Sequence, residues 1–384
     1  LKKVSHLTSD PDFDYLIIGG GLAGLQLALA MQEDPFFNHQ AIGIFEPSQK
    51  NQNDKTWCFW EKGSGKWDHL LYKSWRSGKF ISEKRSLNLE LGEYRYKMIR
   101  SIDFYRYAKK KLSDRKNIRF IPLKVEKVNR LVCHTSKGKF VAGKHIFDSS
   151  LSPDFNPNIG NGIQQHFKGK IIESPQAVFK PDTFSMMDFR ISFQNHCCFT
   201  YVLPFSQKRA LVEFTFFSPD LLAEETYDQL IDSYLHEQLG LHQFQTIEEE
   251  KGVIPMSDYN FQKDNSSQLT KIGTAGGWVK ASSGYSFKSS EKKVQQIIAN
   301  LKQTRLPSAG LFKSRFLFYD RIFLRILKHK NYLGNRILQE MYYRNKTPEI
   351  FKFLDEETDI FEELKIISRF KQAPFLWSLS KEFL

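Results

Sequence analysis

Cysteine is scarce in this chain, with four in 384 residues: Cys58, Cys133, Cys197 and Cys198. None forms a Cys-x-x-Cys pair, and the neighbours Cys197 and Cys198 are poorly placed to bridge each other. Neither a disulfide framework nor a metal site is therefore expected, and the usage suits a reducing cytoplasm. Long apolar runs are missing too. No stretch reaches the roughly 18 apolar residues of a membrane-spanning helix, and the opening LKKVSHLTSD lacks the apolar centre of a signal peptide. Any membrane contact is expected to be peripheral. Acidic residues are in deficit, 43 against 56 Lys and Arg, which leaves a formal net charge of +13. Such an excess favours an anionic partner. With no zinc-finger spacing, RNP-like run or basic zipper, nucleic acid is set aside and an anionic membrane surface remains.

What is present is apolar and aromatic. Hydrophobic residues make up 41% of the chain, and its 34 Phe, 15 Tyr and 6 Trp serve either a large core or a pocket for a long apolar ligand. The segment DFDYLIIGGGLAGLQLALAMQ reads as strand, glycine turn and helix, followed by a strand over Ala41–Phe45 that ends in Glu46. Gly19, Gly21 and Gly24 fit G-x-G-x-x-G. The first permits the tight turn, the second lets backbone approach a pyrophosphate, and the third lets helix pack on strand. The helix start, with Leu22 and Ala23, offers free N–H groups and a positive dipole end to phosphates, and Glu46 is placed to accept from a ribose.

The fingerprint alone does not separate FAD from NAD(P). Its place near the N-terminus, with a second glycine-rich loop carrying Gly273, Gly276, Gly277 and Gly284, favours FAD in a glutathione-reductase-like α/β fold. Val125 and Asp148, at the ends of strand-like runs, are expected near the same cofactor. Alternating segments Ala177–Phe179, Met186–Phe193, Cys198–Leu203 and Ala210–Thr215 predict an inserted antiparallel sheet, and helices are expected over 102–112, 223–239 and 290–303. The expected division is a discontinuous FAD-binding domain (1–75, 98–160, 265–310), a substrate-binding sheet domain (76–97, 161–264) and a helical basic tail (311–384). In that tail GLFKSRFLFYDRIFLRILKHK interleaves cations with apolar residues at helical spacing, as in an interfacial helix. Alternation in LVEFTF puts Val212 and Phe214 opposite Glu213, so an apolar setting would raise this carboxyl's pKa and keep it protonated.

Five blocks, DYLIIGGGLAGL (14–25), NDKTWCFW (53–60), LVEFTFFS (211–218), EEEKGVIPM (248–256) and IGTAGGWVKASSGYSF (272–287), resemble in order the flavin-dependent lycopene cyclases, particularly the bacterial lycopene β-cyclase type. The resemblance implies a redox-neutral cyclisation of the ψ ends of a lycopene-like polyene to β-ionone rings. It also implies reduced FAD, with NADPH or NADH as reductant. Glu213 matches the family's proposed acid. Trp57, Trp60, Trp278 and Tyr285 lie in family blocks and are candidates to stabilise a carbocation; Asp54 and Glu250 are weaker acid–base candidates. Two positions depart from the family pattern: Ala281 stands where proline is expected, and Ser150 where arginine is common. An FAD-dependent monooxygenase or isoprenoid reductase of the same fold, or a non-catalytic prenyl-lipid carrier, are the rival readings.

Overall fold

The run Phe13–Ile18 is apolar at nearly every position, the pattern of a strand covered on both faces. In the computed structural model, which describes residues 10–382, it lies at the centre of a parallel sheet. Ile118–Ile121, Ile42–Phe45, Phe13–Ile18, the second half of Gly138–Asp148 and Leu269–Lys271 run side by side. The first half of Gly138–Asp148 instead pairs antiparallel with Val132–Thr135, which pairs with Val125–Asn129. The helices Leu22–Glu33, Ser101–Ser113 and Phe287–Lys302 cover one face, with Leu25, Leu29, Phe104 and Ile297 in one core.

A second sheet has seven strands, in the order Gln245–Met256, Ile163–Glu173, Arg209–Ser218, Cys197–Pro204, Thr183–Asp188, Ser77–Ile81 and Ser86–Glu90. All neighbours are antiparallel except Thr183–Asp188 with Ser77–Ile81. One face, through Val212, Phe214 and Phe216, packs on the helix Glu224–Ser233 and its π-helical continuation Tyr234–Gln238. The other, through Tyr201, Leu211 and Phe217, packs on the C-terminal helices. A small third sheet sets Thr56–Lys62 and Lys73–Trp75 on either side of Tyr94–Arg100. Residues 76–97 therefore divide between sheets: two strands join the large one, and Tyr94–Arg100 does not.

Three further expectations differ from the outcome. The strand expected over Met186–Phe193 ends at Asp188. Ala177–Phe179 is a loop, held by Val178 and Phe179 N–H groups donating to the Gln207 carbonyl. Its alternation is too short to outcompete the neighbouring turn. In the tail, helix Ser314–His329 turns Phe316, Ile322, Leu324, Ile326 and Leu327 into the core. Its cations are engaged within the protein: Arg315 on Glu363 (2.8 Å), Arg321 and Arg325 on Glu382 (2.5 and 2.7 Å), and Lys328 on the carbonyls of Asn158 and Gly160. The periodicity there reports packing on the sheet.

The turn after this helix is stitched to the sheet. Asn331 accepts from the Cys197 N–H (2.5 Å) and donates to the Phe217 carbonyl (2.7 Å). Gly334 is required beside it, because a Cβ there would stand 2.5 Å from Cys197 Sγ.

Candidate active site

A cavity of about 400 Å³ runs from the first glycine turn to the middle of the large sheet. At one end Gly21, Leu22, Ala23 and Gly24 line it, with Ser149, Gly273 and Gly284. The three fingerprint glycines differ in what a side chain would meet. At Gly19, with φ +100°, a Cβ would be 2.0 Å from Ser149 Oγ; at Gly24 it would be 2.0 Å from the Gly19 carbonyl oxygen. At Gly21 it would meet nothing within 4 Å. Two glycines thus serve close packing and the third faces open space at a helix start. That helix has no side-chain cap and no acidic residue in its first turn, so its N–H groups are left to an anion. Glu46 accepts from the Gly20 N–H (2.8 Å) and the Ser48 N–H (2.9 Å), which leaves lone pairs on both oxygens.

Further along, the buried Trp278 Nε1, Gln165 Oε1 and Ser283 Oγ have no hydrogen-bond partner among the described residues, and all three residues line the cavity. Buried polar atoms are nearly always satisfied, so these are places for a ligand's polar groups. An open phosphate cradle followed by unsatisfied donors and acceptors is the donor set that a flavin dinucleotide requires.

The remaining expected cofactor residues sit otherwise. Asp148 is buried and held by Lys271 Nζ (2.7 Å) and the Ser150 N–H (2.8 Å); it ties two parallel strands together, and Ser150, where arginine is common, completes that knot. Removing one member of such a pair leaves a buried charge uncompensated. Asp148→Ala is expected to lower stability by about 3–5 kcal/mol, measured by urea unfolding. Val125 packs against the far core of the parallel sheet and is not in the cavity wall. Gly276 and Gly277 shape their own loop: a Cβ would stand 2.3 Å from the Lys271 carbonyl oxygen at the first and 2.6 Å from Phe261 at the second. Ala281 packs against the main core.

At the other end of the cavity the antiparallel register assembles a row that no single segment contains. Glu250, Gly169, Glu213 and Tyr201 lie opposite one another on four adjacent strands. Having no side chain, Gly169 lets the two carboxyls meet across it; a Cβ there would lie 3.3 Å from both Glu213 Cβ and Glu250 Cγ. Thr215 donates to Glu213 (2.9 Å) and Thr56 to Glu250 (2.5 Å). Burial, then the charge of Glu250, pushes Glu213 well above the usual carboxylate range. Burial raises Glu250 as well, against the opposing hydrogen bond from Thr56. Two like charges this close repel, which favours one shared proton on the pair, and the upward push is the larger on Glu213.

Asp54 also lines the cavity. Burial raises its pKa, but hydrogen bonds from Tyr105 (2.9 Å) and Ser101 (3.0 Å) and the charge of Lys50 outweigh that and hold it below the ordinary range. It is an anion and not an acid.

Beside the carboxyls stands a tyrosine cluster. Tyr285 OH is 3.2 Å from Tyr96 OH and 3.3 Å from Tyr201 OH, and burial holds all three well above the ordinary phenol value, hence protonated. Trp57, Trp278 and Tyr285 face the cavity. Trp60 lies one layer behind, stacked on Phe351 (4.4 Å) and edge-on to Tyr285 (4.5 Å). Tyr96, Tyr201 and Gly169 had no sequence signal beyond period-two alternation, and Thr56 and Thr215 lay in family blocks with no role assigned to them. Past Tyr285 and Ser283, which belong to both walls, a second cavity of about 190 Å³ opens between the sheet and the C-terminal helices. Met187, Phe217, Phe323, Leu338, Met341 and Phe375 make its lining almost wholly apolar.

The fold is shared with solved flavoenzyme structures. A geranylgeranyl bacteriochlorophyll reductase-like protein from Thermoplasma acidophilum is 12% identical, with a TM-score of 0.61 over 96% of this chain and 98% of that one. The flavin-dependent brominase Bmp2 is 14% identical, with a TM-score of 0.55 over 90% and 98%. A probable FAD-dependent monooxygenase from Pseudomonas aeruginosa is 11% identical, with a TM-score of 0.54 over 90% and 99%. No curated protein matches the sequence. The profile described as "Lycopene cyclase protein" matches residues 14–379.

Proposed function

The chain belongs to the lycopene cyclase family, and from that premise we propose that it binds FAD and cyclises the ψ ends of a lycopene-like polyene without net oxidation. The observation that carries the proposal is the Glu213–Glu250 pair, two carboxyls brought together across Gly169 in the cavity wall, where burial raises both pKa values. The glycine turn and the helix start at Leu22 would hold the pyrophosphate of the dinucleotide. Glu46 lies beside the turn, where it would accept from the ribose, and Trp278 Nε1 and Ser283 Oγ would meet polar groups further in. Bound there and reduced by NADPH or NADH, a flavin would supply electron density to the site.

The protein's own groups handle the proton. Glu213 delivers it to the terminal double bond of the polyene, which leaves a tertiary carbocation. The neighbouring double bond attacks that centre and forms the ring carbon–carbon bond. The ring cation then loses a proton to the carboxylate pair, with Glu250 nearest the Thr56 hydroxyl as acceptor. One proton enters and one leaves, so substrate and product are isomers. Trp57, Trp278 and Tyr285 line the cavity, and a desolvated cation–π contact from such a ring stabilises by about 2 kcal/mol, or about thirtyfold in rate where it acts only in the transition state. The apolar cavity beyond Tyr285 takes the rest of the chain and keeps water from quenching the cation.

The test is anaerobic incubation of the protein with FAD, excess NADPH and lycopene in liposomes, followed by chromatography and mass measurement of the pigments. A cyclic product of unchanged mass is expected. Unchanged lycopene in the presence of bound, reduced flavin would overturn the proposal.

A further inference from the structure

Tyr285, Ser286 and Phe287 line the catalytic cavity and also a further one of about 330 Å³. Five lysines line this further cavity: Lys280, Lys288, Lys292, Lys293 and Lys313. Three of them come from helix Phe287–Lys302, where Lys288 and Lys292 are one turn apart and like charges repel.

Most of this charge is answered within the protein. Lys280 pairs with Asp320 and Glu356 (both 2.9 Å), Lys292 with Glu357 (2.7 Å) and Lys288 with Glu61 (2.6 Å). Lys293 and Lys313 have no carboxylate partner among the described residues. The first donates to Ser289 Oγ (2.8 Å) and the second to the Glu356 carbonyl. Burial pushes the Lys293 ammonium down to about 8, opposed by the charge of Glu356 and reinforced by Lys280 and Lys292. An unanswered cation so placed is costly, and a bound anion would relieve it. The acids of the wall are committed elsewhere: Glu356 and Glu357 hold Lys280 and Lys292, and burial raises Asp355 to about 6.

One neutral donor is left over as well. Trp60, 3% exposed, lines this cavity and not the catalytic one. Its buried Nε1 lies near Asp355 but has no hydrogen-bond partner among the described residues. With Phe59, Leu311 and Leu354 it gives the cavity an apolar and aromatic side. Free phosphate has no use for such a wall, whereas a nucleotide has. The volume is at the lower end of the range for small-ligand sites, about 300–1,000 Å³.

We infer that this cavity is a nucleotide site separate from the dinucleotide cradle at Gly21, with Lys293 and Lys313 on a phosphate group and Trp60 Nε1 on the base or sugar. Lysine suits the phosphate as a compact cation. Two sources carry this chemistry. One is the phosphorylated adenosine of NADPH, in which case the lysines select NADPH over NADH; that assignment rests on the proposed function. The other is a separate nucleotide acting through the shared wall at Tyr285.

Calorimetric titration tests the site on the full chain saturated with FAD, so that the Gly21 cradle is filled. The probes are adenosine 2′,5′-bisphosphate, adenosine and inorganic phosphate. The bisphosphate is expected to bind, and the other two at least about tenfold more weakly. Lys293→Met/Lys313→Met is expected to lose about thirtyfold in bisphosphate affinity and Trp60→Phe about fivefold, with the flavin absorbance unchanged. Thermal melting checks that each variant is folded.

No binding by the wild type, equal binding of adenosine and the bisphosphate, or unaltered binding in the folded lysine variant overturns the inference. Inorganic phosphate that binds as tightly as the bisphosphate overturns it in favour of a plain anion site. Anaerobic flavin reduction separates the two sources. A KM for NADPH raised about thirtyfold in the lysine variant, with that for NADH unchanged, identifies the reductant. Both KM values unchanged, with bisphosphate binding lost, identify a separate nucleotide. None of these measurements uses lycopene, so failed cyclisation leaves the site standing and failed binding leaves the cyclase reading standing.

Discussion

Glu213→Gln is expected to lower cyclisation by about 10²–10⁴-fold, the range that a positioned general acid contributes, while leaving flavin bound. Glutamine keeps the shape and accepts the Thr215 hydrogen bond, but it has no proton acidic enough for an alkene. Single-turnover pigment assays, with the flavin absorbance recorded in parallel, give the measurement. Retained activity would remove Glu213 from the reaction. The wild-type pH profile carries the same information. Burial and the neighbouring carboxylate raise the Glu213 pKa from the ordinary 4.5 of a glutamate to about 8, so activity is expected to fall as pH rises through that value.

Stability should follow with a defined sign. Between about 4.5 and 8 the folded state holds a proton that the unfolded chain has lost, so folding takes one up and stability declines as pH rises across this window. The glutamine variant is expected to lack that decline, which urea midpoints at several pH values would show.

Gly21→Val is expected to yield a folded protein that has lost at least about a hundredfold in flavin affinity, equivalent to about 2.7 kcal/mol. The backbone at Gly21 is extended, with φ −85°, and a Cβ there meets nothing, so the fold has no reason to suffer. The added methyls would fill the space that the pyrophosphate needs. Gly24→Val supplies the contrast: its Cβ would press 2.0 Å from the Gly19 carbonyl oxygen, and overpacking of this kind costs about 1–3 kcal/mol. Flavin titration and thermal melting on the two variants separate a binding role from a packing role. A Gly21→Val protein with undiminished flavin affinity would move the cradle elsewhere.

Local patterns carried much of this chain. An apolar run, three spaced glycines and a helical Leu/Ala stretch are contiguous features, and the nucleotide-binding unit formed as its sequence implied. Glu213 was visible as a lone ionisable residue in an alternating apolar strand. Glu250 was harder, because it closes a run of three glutamates. Period two puts Glu248 and Glu250 on one face and Glu249 on the other, and only pairing tells the first two apart: Glu248 meets Arg100 (2.8 Å), whereas Glu250 reaches the cavity. The tail misled for a related reason, since a helix buried against a sheet and one lying on lipid have the same periodicity.

From sequence alone come the dinucleotide-type fold, the inserted sheet, the acid candidate and the basic, aromatic tail, because each is written in residues adjacent along the chain or repeating at a helical or strand period. The tertiary structure decided that Glu250 is the partner of Glu213, that Gly169 makes room between them, that Tyr96, Tyr201 and Tyr285 converge, and that helix Ser314–His329 turns its apolar side into the core. Those facts depend on the register between strands distant in sequence and on which side of each helix finds a core. Long-range packing sets both, and no local propensity encodes them.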